Sequence, residues 1–339
     1  MGIRKGFAAL FILLSLALLV SCAPGTTEIS PATGADTTGT FTATGAAETV
    51  AAGMAETLSA TDDLGRTVAV PRKPGRVAAL TGSFADVWNL AGGLDSLIAA
   101  ADDAWTTFEL PLGDDVFNLG GVLHPNLETL LSAEPDLILA SCDNAPDMEL
   151  LPTFEELNLP ALYFSVENLQ DYLRMLDICA QIAGKPENYV LYGENVRLQA
   201  EAAIALRDGT APSVLCLRSG GTSCKAKGSE GTVLGEMLHD LGCRNIADSN
   251  RAILEDLSME AILLEDPDYV FIVYQGASEE SAEKAFRAAL ESNPAWATLR
   301  AVRENRCFVM DRRLYHFKPN AQWGTAYERL ARILYGEND

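Results

Sequence analysis

Two acids, Glu128 and Glu260, stand at matching places in a segment that this 339-residue chain carries twice. The window Asn126 to Ala140 (NLETLLSAEPDLILA) aligns in register with Ser258 to Ile272 (SMEAILLEDPDYVFI), so Pro135 and Asp136 correspond to Pro267 and Asp268. Each copy opens on a residue able to cap a helix, continues as a short amphipathic run, and passes through Pro-Asp into an aliphatic strand. Capping by Asn126 and Ser258 puts both acids at the second helical position, in solvent at the positive end of the dipole. A single acid there only complements the dipole. An equivalent pair on two related units suits a two-point contact with one large partner.

Other reactive constellations are missing from the sequence. It contains no GxSxG, no HExxH and no GxxxxGK[ST], and Gly228-Ser229-Glu230-Gly231 lacks the lysine and hydroxyl of a phosphate loop, so turnover chemistry is not indicated. The three histidines, His124, His239 and His316, do not cluster with acids at the spacing of a bare metal site, and no CxxC or CxxH occurs. His239, beside Asp240 on a helix, reads as a surface residue. The 47 acidic against 25 basic side chains give a formal charge of −22, which excludes nucleic acid as a natural partner.

The chain's beginning has its own logic. Arg4 and Lys5 precede an apolar run from Phe7 to Val20, too short for a comfortable membrane span, and then comes Leu19-Val20-Ser21-Cys22. This resembles a bacterial lipoprotein signal, which implies removal of residues 1–21, lipidation of Cys22 and a protein held to the outer face of the cell membrane by its lipid. Residues 22–60, rich in Thr, Ala and Gly, read as a flexible tether. Six cysteines follow, Cys142, Cys179, Cys216, Cys224, Cys243 and Cys307. They fit free thiols or up to three disulfides, with Cys179, Cys216 and Cys307 in apolar, core-like contexts.

From Arg76 onward, strands alternate with helices: Arg76–Leu80, a turn at Thr81-Gly82-Ser83, a helix to Leu90, a strand from Leu97, the repeated helix and strand, and a strand ending at Phe164. This predicts a first α/β lobe over 61–166. Helical patterns over 167–211, the second of them running from Pro186 to about Arg207, predict a connector on the order of 30 Å long. A second α/β lobe, 212–339, restarts with Ser213–Leu217 and a Gly-rich loop from Ser219 to Gly231.

Particular residues then carry a family resemblance: Asp63-Leu64-Gly65-Arg66-Thr67, Pro74-Gly75-Arg76-Val77, Pro125-Asn126-Leu127-Glu128, Glu134-Pro135-Asp136-Leu137-Ile138, and Asn293-Pro294-Ala295-Trp296. In order and spacing these resemble the substrate-binding lipoproteins of ABC importers for iron siderophores, haem and cobalamin. The resemblance implies two Rossmann-like lobes with parallel sheets joined by one long rigid helix, a monomer without intrinsic cofactor, and ligand held between the lobes. It also implies docking to a permease dimer, driven by its ATPase, through Glu128 and Glu260. A sensor without a transporter is the remaining alternative on this fold.

Ligands of paired α/β lobes sit beyond the carboxyl ends of the strands. The loops there hold Ser83, Phe84, Trp105 and His124 in the first lobe, and Arg218, Lys225, Tyr274, Tyr315, His316 and Trp323 in the second. The aromatic residues offer flat faces to a macrocycle or aryl chelate, and Arg218 and Lys225 offer charge to its anionic groups. His124 or His316 either ligates a haem or corrinoid metal or is an ordinary hydrogen-bonded loop histidine. An iron chelate or haem ranks first as ligand, a corrinoid second.

Overall fold

The computed structural model describes residues 56–336 except Ala277. Cys22 and the signal, and most of the tether, lie outside these residues. The tether's end is corrected by what is described: β1 (Thr57–Thr61) pairs antiparallel with β2 (Thr67–Pro71). Thr57-Leu58-Ser59-Ala60-Thr61 has only one large apolar residue, but it alternates, and Ala60 and Val70 are buried. The hairpin turn explains the Asp-Leu-Gly-Arg run. Gly65 takes φ +75, Asp62 accepts from the backbone of Leu64 and Arg66, and the Arg66 guanidinium closes on Asp62 at 2.6 Å. Asp63 fastens the turn to the first lobe through Ser165 N and to the connector through Arg174.

The first lobe is a five-stranded parallel sheet of β3 (Val77–Ala79), β4 (Leu97–Ala100), β5 (Phe117–Asn118), β6 (Leu137–Ser141) and β7 (Ala161–Phe164), ordered β5-β4-β3-β6-β7. Every residue of β6 is buried, as a strand with both faces covered requires. The second lobe contains β8 (Ser213–Ser219), β9 (Cys224–Lys227), β10 (Arg244–Asn245), β11 (Tyr269–Tyr274) and β12 (Cys307–Met310). Its parallel strands run β10-β8-β11-β12, which repeats the β4-β3-β6-β7 order of the first lobe. The expected Gly-rich loop after β8 is only partly loop. Its middle is β9, an antiparallel strand along the second half of β8.

The sequence repeat has a structural cause. Asn126 caps Leu127–Ser132 by accepting from Thr129 N, and Ser258 caps Met259–Glu265 by accepting from Ala261 N. Both helices leave through a left-handed residue just before the proline, Glu134 at φ +47 and Asp266 at φ +40. The next aspartate then ties down the start of the neighbouring strand: Asp136 accepts from Gly75 N and Arg76 N, and Asp268 from Ser213 N and Oγ. Proline turns the chain, and aspartate sets strand register.

Between the lobes, Leu169–Ile182 begins with a capping box of Asn168 and Asp171. A second helical run extends from Glu187 to Ile204, with a wider π-type turn at Val190–Glu194 where Gly193 lies against Tyr189. The last helix, Trp323–Tyr335, packs along Asn195–Ile204, and Gly324 permits that approach because a Cβ there would meet Gln199 at 2.3 Å. One apolar core runs from the first lobe through these helices into the second, and each sheet has a separate core on its other face. The lobes therefore share buried surface instead of hanging on a free hinge. Among the described residues no helix is long and apolar enough to cross a membrane, and all six cysteines are free thiols, four of them buried.

Candidate functional site in the interlobe cleft

The loops at the carboxyl ends of the two sheets differ sharply in charge. In the first lobe, Thr81 caps Gly82–Leu90 and Gly82 N donates to Asp103 Oδ1 at 2.7 Å, a contact so close that a Cβ on Gly82 would meet the Ala104 backbone at 2.5 Å. Burial pushes the Asp103 carboxyl up to about 6, with Asp102 adding to the effect. After β6, Asp147 is fully buried, accepts from Ser141 N and the Asn144 amide, and is pushed up to about 7, again mainly by burial. Asp86 and Asp143, paired with Arg313 and Lys318, are further acids at this end of the sheet.

The second lobe answers with cations. Arg218 on β8 sits directly opposite Lys225 on β9, and Lys227 lies two residues farther along. Like charges facing across an antiparallel pair oppose pairing. Among the described residues none of these three has a carboxylate within salt-bridge distance. Burial lowers the pKa of Arg218, and that of Lys227 falls through burial and then through Arg218 and Lys225. His316 stacks on Phe317 with ring centroids 5.3 Å apart, and its Nδ1 is buried without a hydrogen-bond partner. Burial, followed by Arg218, Lys318, Arg312 and Lys227, pushes this imidazole down to about 4, so it is neutral at pH 7.

Two cavities open on either side of this cluster. The smaller, about 570 Å³, lies between Thr106 and Thr107 of the first lobe and Tyr274, Glu279, Val309, Asp311, Arg312, Arg313 and Phe317 of the second. The larger, about 980 Å³, is lined by Glu167, Lys227, Glu230, Glu236, His239 and Asp248. Carboxylates line both cavities, so anionic charge is stabilised only near the cations, Lys227 in the larger and Arg312 and Arg313 in the smaller. Among the described residues no group of three or more His, Cys, Asp or Glu could hold a bare metal ion.

The expected ligand residues separate into two groups. Tyr274 lines the smaller cavity, Arg218 is among the charged neighbours of His316, Lys225 faces Arg218 across the strand pair, and Trp105 is half-buried against the core next to Thr106 of the cavity lining. Four others are structural. Trp323 is wholly buried beside Tyr327, so its indole cannot face a ligand. Tyr315 is buried and donates to Ala326 O, Phe84 packs edge-on against Phe164, and Ser83 is buried with its carbonyl accepting from Asn320. These positions lie beyond strands, as expected, but the helices they belong to turn the side chains inward. His124 is exposed on its own loop in the first lobe and is not among the charged neighbours of His316. Arg312, Arg313, Phe317, Asp86 and Asn320 are contact residues of this region that no sequence motif marks. Only Asp86 left a signal, an acid set between Ala85 and Val87 on an apolar helix face. Glu128 and Glu260 are both exposed at the second position of their helices.

With this geometry in view, residues 77–314 match the family model described as periplasmic binding protein. Over 222 residues the chain is 26% identical to the iron-uptake system-binding protein of Bacillus subtilis (strain 168), a match covering 62% of this chain and 64%, less than two thirds, of that protein. The siderophore binding protein BauB, solved bound to a complex between two molecules of acinetobactin and ferric iron, superposes with a TM-score of 0.66 at 19% identity, covering 84% of this chain and 100% of that one. The periplasmic heme-binding protein RhuT from Roseiflexus sp. RS-1 superposes with a TM-score of 0.62 at 21% identity, covering 77% and 97%. The repeated α/β lobe, the shared helical spine and this match over most of the folded chain lead to one conclusion: the chain belongs to the periplasmic binding protein family.

Proposed function

We propose that this protein is a solute-binding lipoprotein, not an enzyme, that captures an anionic iron chelate, either a siderophore complex or haem, between its lobes and delivers it to an ABC importer. The observation carrying this reading is the set of cations without a salt-bridge partner among the described residues, Arg218, Lys225 and Lys227, with Arg218 and Lys227 grouped with Arg312 around His316, in a protein whose net charge is −22. Cations kept together without counter-ions await an anionic partner. Tyr274 and Phe317 supply apolar faces beside them, and the neutral ring of His316 accepts burial against a flat ligand. Cys22 would carry the lipid, and Glu128 and Glu260 would meet basic residues of the permease.

The reading is tested by titrating the mature protein with ferric chelates of graded charge: a tricatecholate, a citrate complex, a neutral trihydroxamate, haemin and cobalamin. Trp88, Trp296 and Trp323 are buried, so tryptophan quenching should report through Trp105 and vanish in Trp105→Phe. Tight binding of an anionic ferric complex, weakened by salt, is the expected result. Preference for the neutral trihydroxamate or for cobalamin overturns it.

A further inference from the structure

The chain leaving β12 does not stay with its own lobe. Arg313 pairs with Asp86 at 3.3 Å and lies over the Phe108 ring at 4.1 Å, and Lys318 reaches Asp143 at 3.5 Å. Asn320 donates its amide to Ser83 O at 2.9 Å and to Asp86 Oδ2 at 2.8 Å. Asp86, Phe108 and Asp143 follow β3, β4 and β6, so one short segment touches three strand ends of the first lobe. Its side-chain ties outside the first lobe are Arg312 Nη1 to Gly276 O, at 2.8 Å at the second lobe's sheet end, and the Tyr315 hydroxyl to Ala326 O of the last helix, at 3.1 Å. Asn320 is 1% exposed and holds φ +55, a left-handed conformation that asparagine tolerates better than other residues with a side chain.

We propose that Arg312 to Asn320 is a strap that moves with the first lobe, and that Asp86 is its positioning residue. By receiving both Arg313 and Asn320, this carboxylate fixes where Arg312, His316 and Phe317 stand and so sets the cleft width before ligand arrives. The 570 Å³ cavity then lies between the strap and the second lobe, with Tyr274 and Val309 on the far wall. Relative motion of the lobes shears the Arg312 to Gly276 contact and leaves the Asp86 cluster intact. This inference rests on the interlobe cleft being the ligand site, but the strap itself can be measured without ligand.

Spin labels placed through ketone-bearing residues at exposed positions 128 and 260 leave the six thiols untouched, and pulsed dipolar spectroscopy then gives the interlobe distance in the ligand-free protein. The native chain should show one narrow distribution. Asn320→Gly keeps the left-handed backbone and removes only the cross-lobe amide, and it should broaden that distribution. Asp86→Ala should broaden it further, while Asp86→Asn, which keeps one acceptor, should restore it partly. Unchanged narrow distributions in both Asn320→Gly and Asp86→Ala, with only a lower melting temperature, overturn the proposal. If Asp86→Ala does not fold, Asn320→Gly decides. A protein that binds none of the chelates above still gives this answer, so failure of the strap and failure of the function are separable.

Discussion

The two lobes repeat one topology and carry opposite charge at the same topological place. Strand ends of the first lobe carry Asp86, Asp103 and Asp143, while those of the second carry Arg218, Lys227 and Arg312 around the neutral ring of His316. The shared order of β4-β3-β6-β7 and β10-β8-β11-β12 decides that loops from both lobes converge on the cleft. The loops' own residues decide what happens there. In the proposed arrangement the acidic rim holds the strap, and the basic rim is left to an anion. A duplicated fold therefore gives two half-sites that attract each other and divide the work.

The largest effect should come from erasing this asymmetry. Arg218→Glu, alone or with Lys227→Glu, removes most or all of the net positive charge of the basic rim and should weaken anionic ferric chelate binding by about 100-fold or more, of the order seen when a desolvated charge partner is reversed. Isothermal titration at two salt concentrations checks it. Unchanged affinity moves the ligand off the basic wall.

Away from the cleft the lobes should act alike instead of oppositely. Glu128→Lys and Glu260→Lys should each cut uptake in cells by about 10-fold, with the double variant worse, because a like charge replaces an attractive one at the permease. Ligand affinity and melting temperature should hardly move, since both side chains are exposed. Normal transport by the double variant would leave these acids as dipole partners only.

A smaller, matched effect is expected within the repeat. Asp136→Ala and Asp268→Ala each strip a carboxylate from the start of the adjacent strand, and each should cost about 1–3 kcal/mol by urea unfolding. Similar losses in both would bear out the structural equivalence of the copies. A loss confined to one would restrict the clamp to that lobe.

Acid should separate the lobes by sign. Asp147 has its folded pKa raised to about 7, so its contribution is complete below the unfolded value near 4 and is lost as pH rises toward 7. His316 is depressed to about 4, so in the window from about 6.5 down to 4 the unfolded chain takes up a proton that the folded one refuses, and stability falls. Melting curves from pH 7 to 4 should therefore lose a stabilising slope in Asp147→Asn and a destabilising one in His316→Gln, each about 1–2 kcal/mol after allowance for partial exposure of the ring. Equal slopes in both variants would show that neither group titrates differently on folding.

Much of this architecture is written locally. The Asn126 and Ser258 caps, the Pro-Asp turns and the aliphatic runs of β6 and β11 depend on neighbours within a few residues, so periodicity and capping chemistry suffice to place Glu128 and Glu260. The Asp62-to-Arg66 turn is equally local, although the pairing of β1 with β2 was hidden because Thr57–Thr61 has too few large apolar residues to stand out. What sequence could not decide was the direction of side chains after each strand. Trp323, Tyr315 and Phe84 follow strands just as Tyr274 and His316 do, and only packing of the helices they belong to turns the first three into the core. The strap was beyond reach for the same reason. Asp86 and Asn320 are separated by 234 residues and meet through the closure of two sheets around one helical spine, an arrangement that no local pattern encodes.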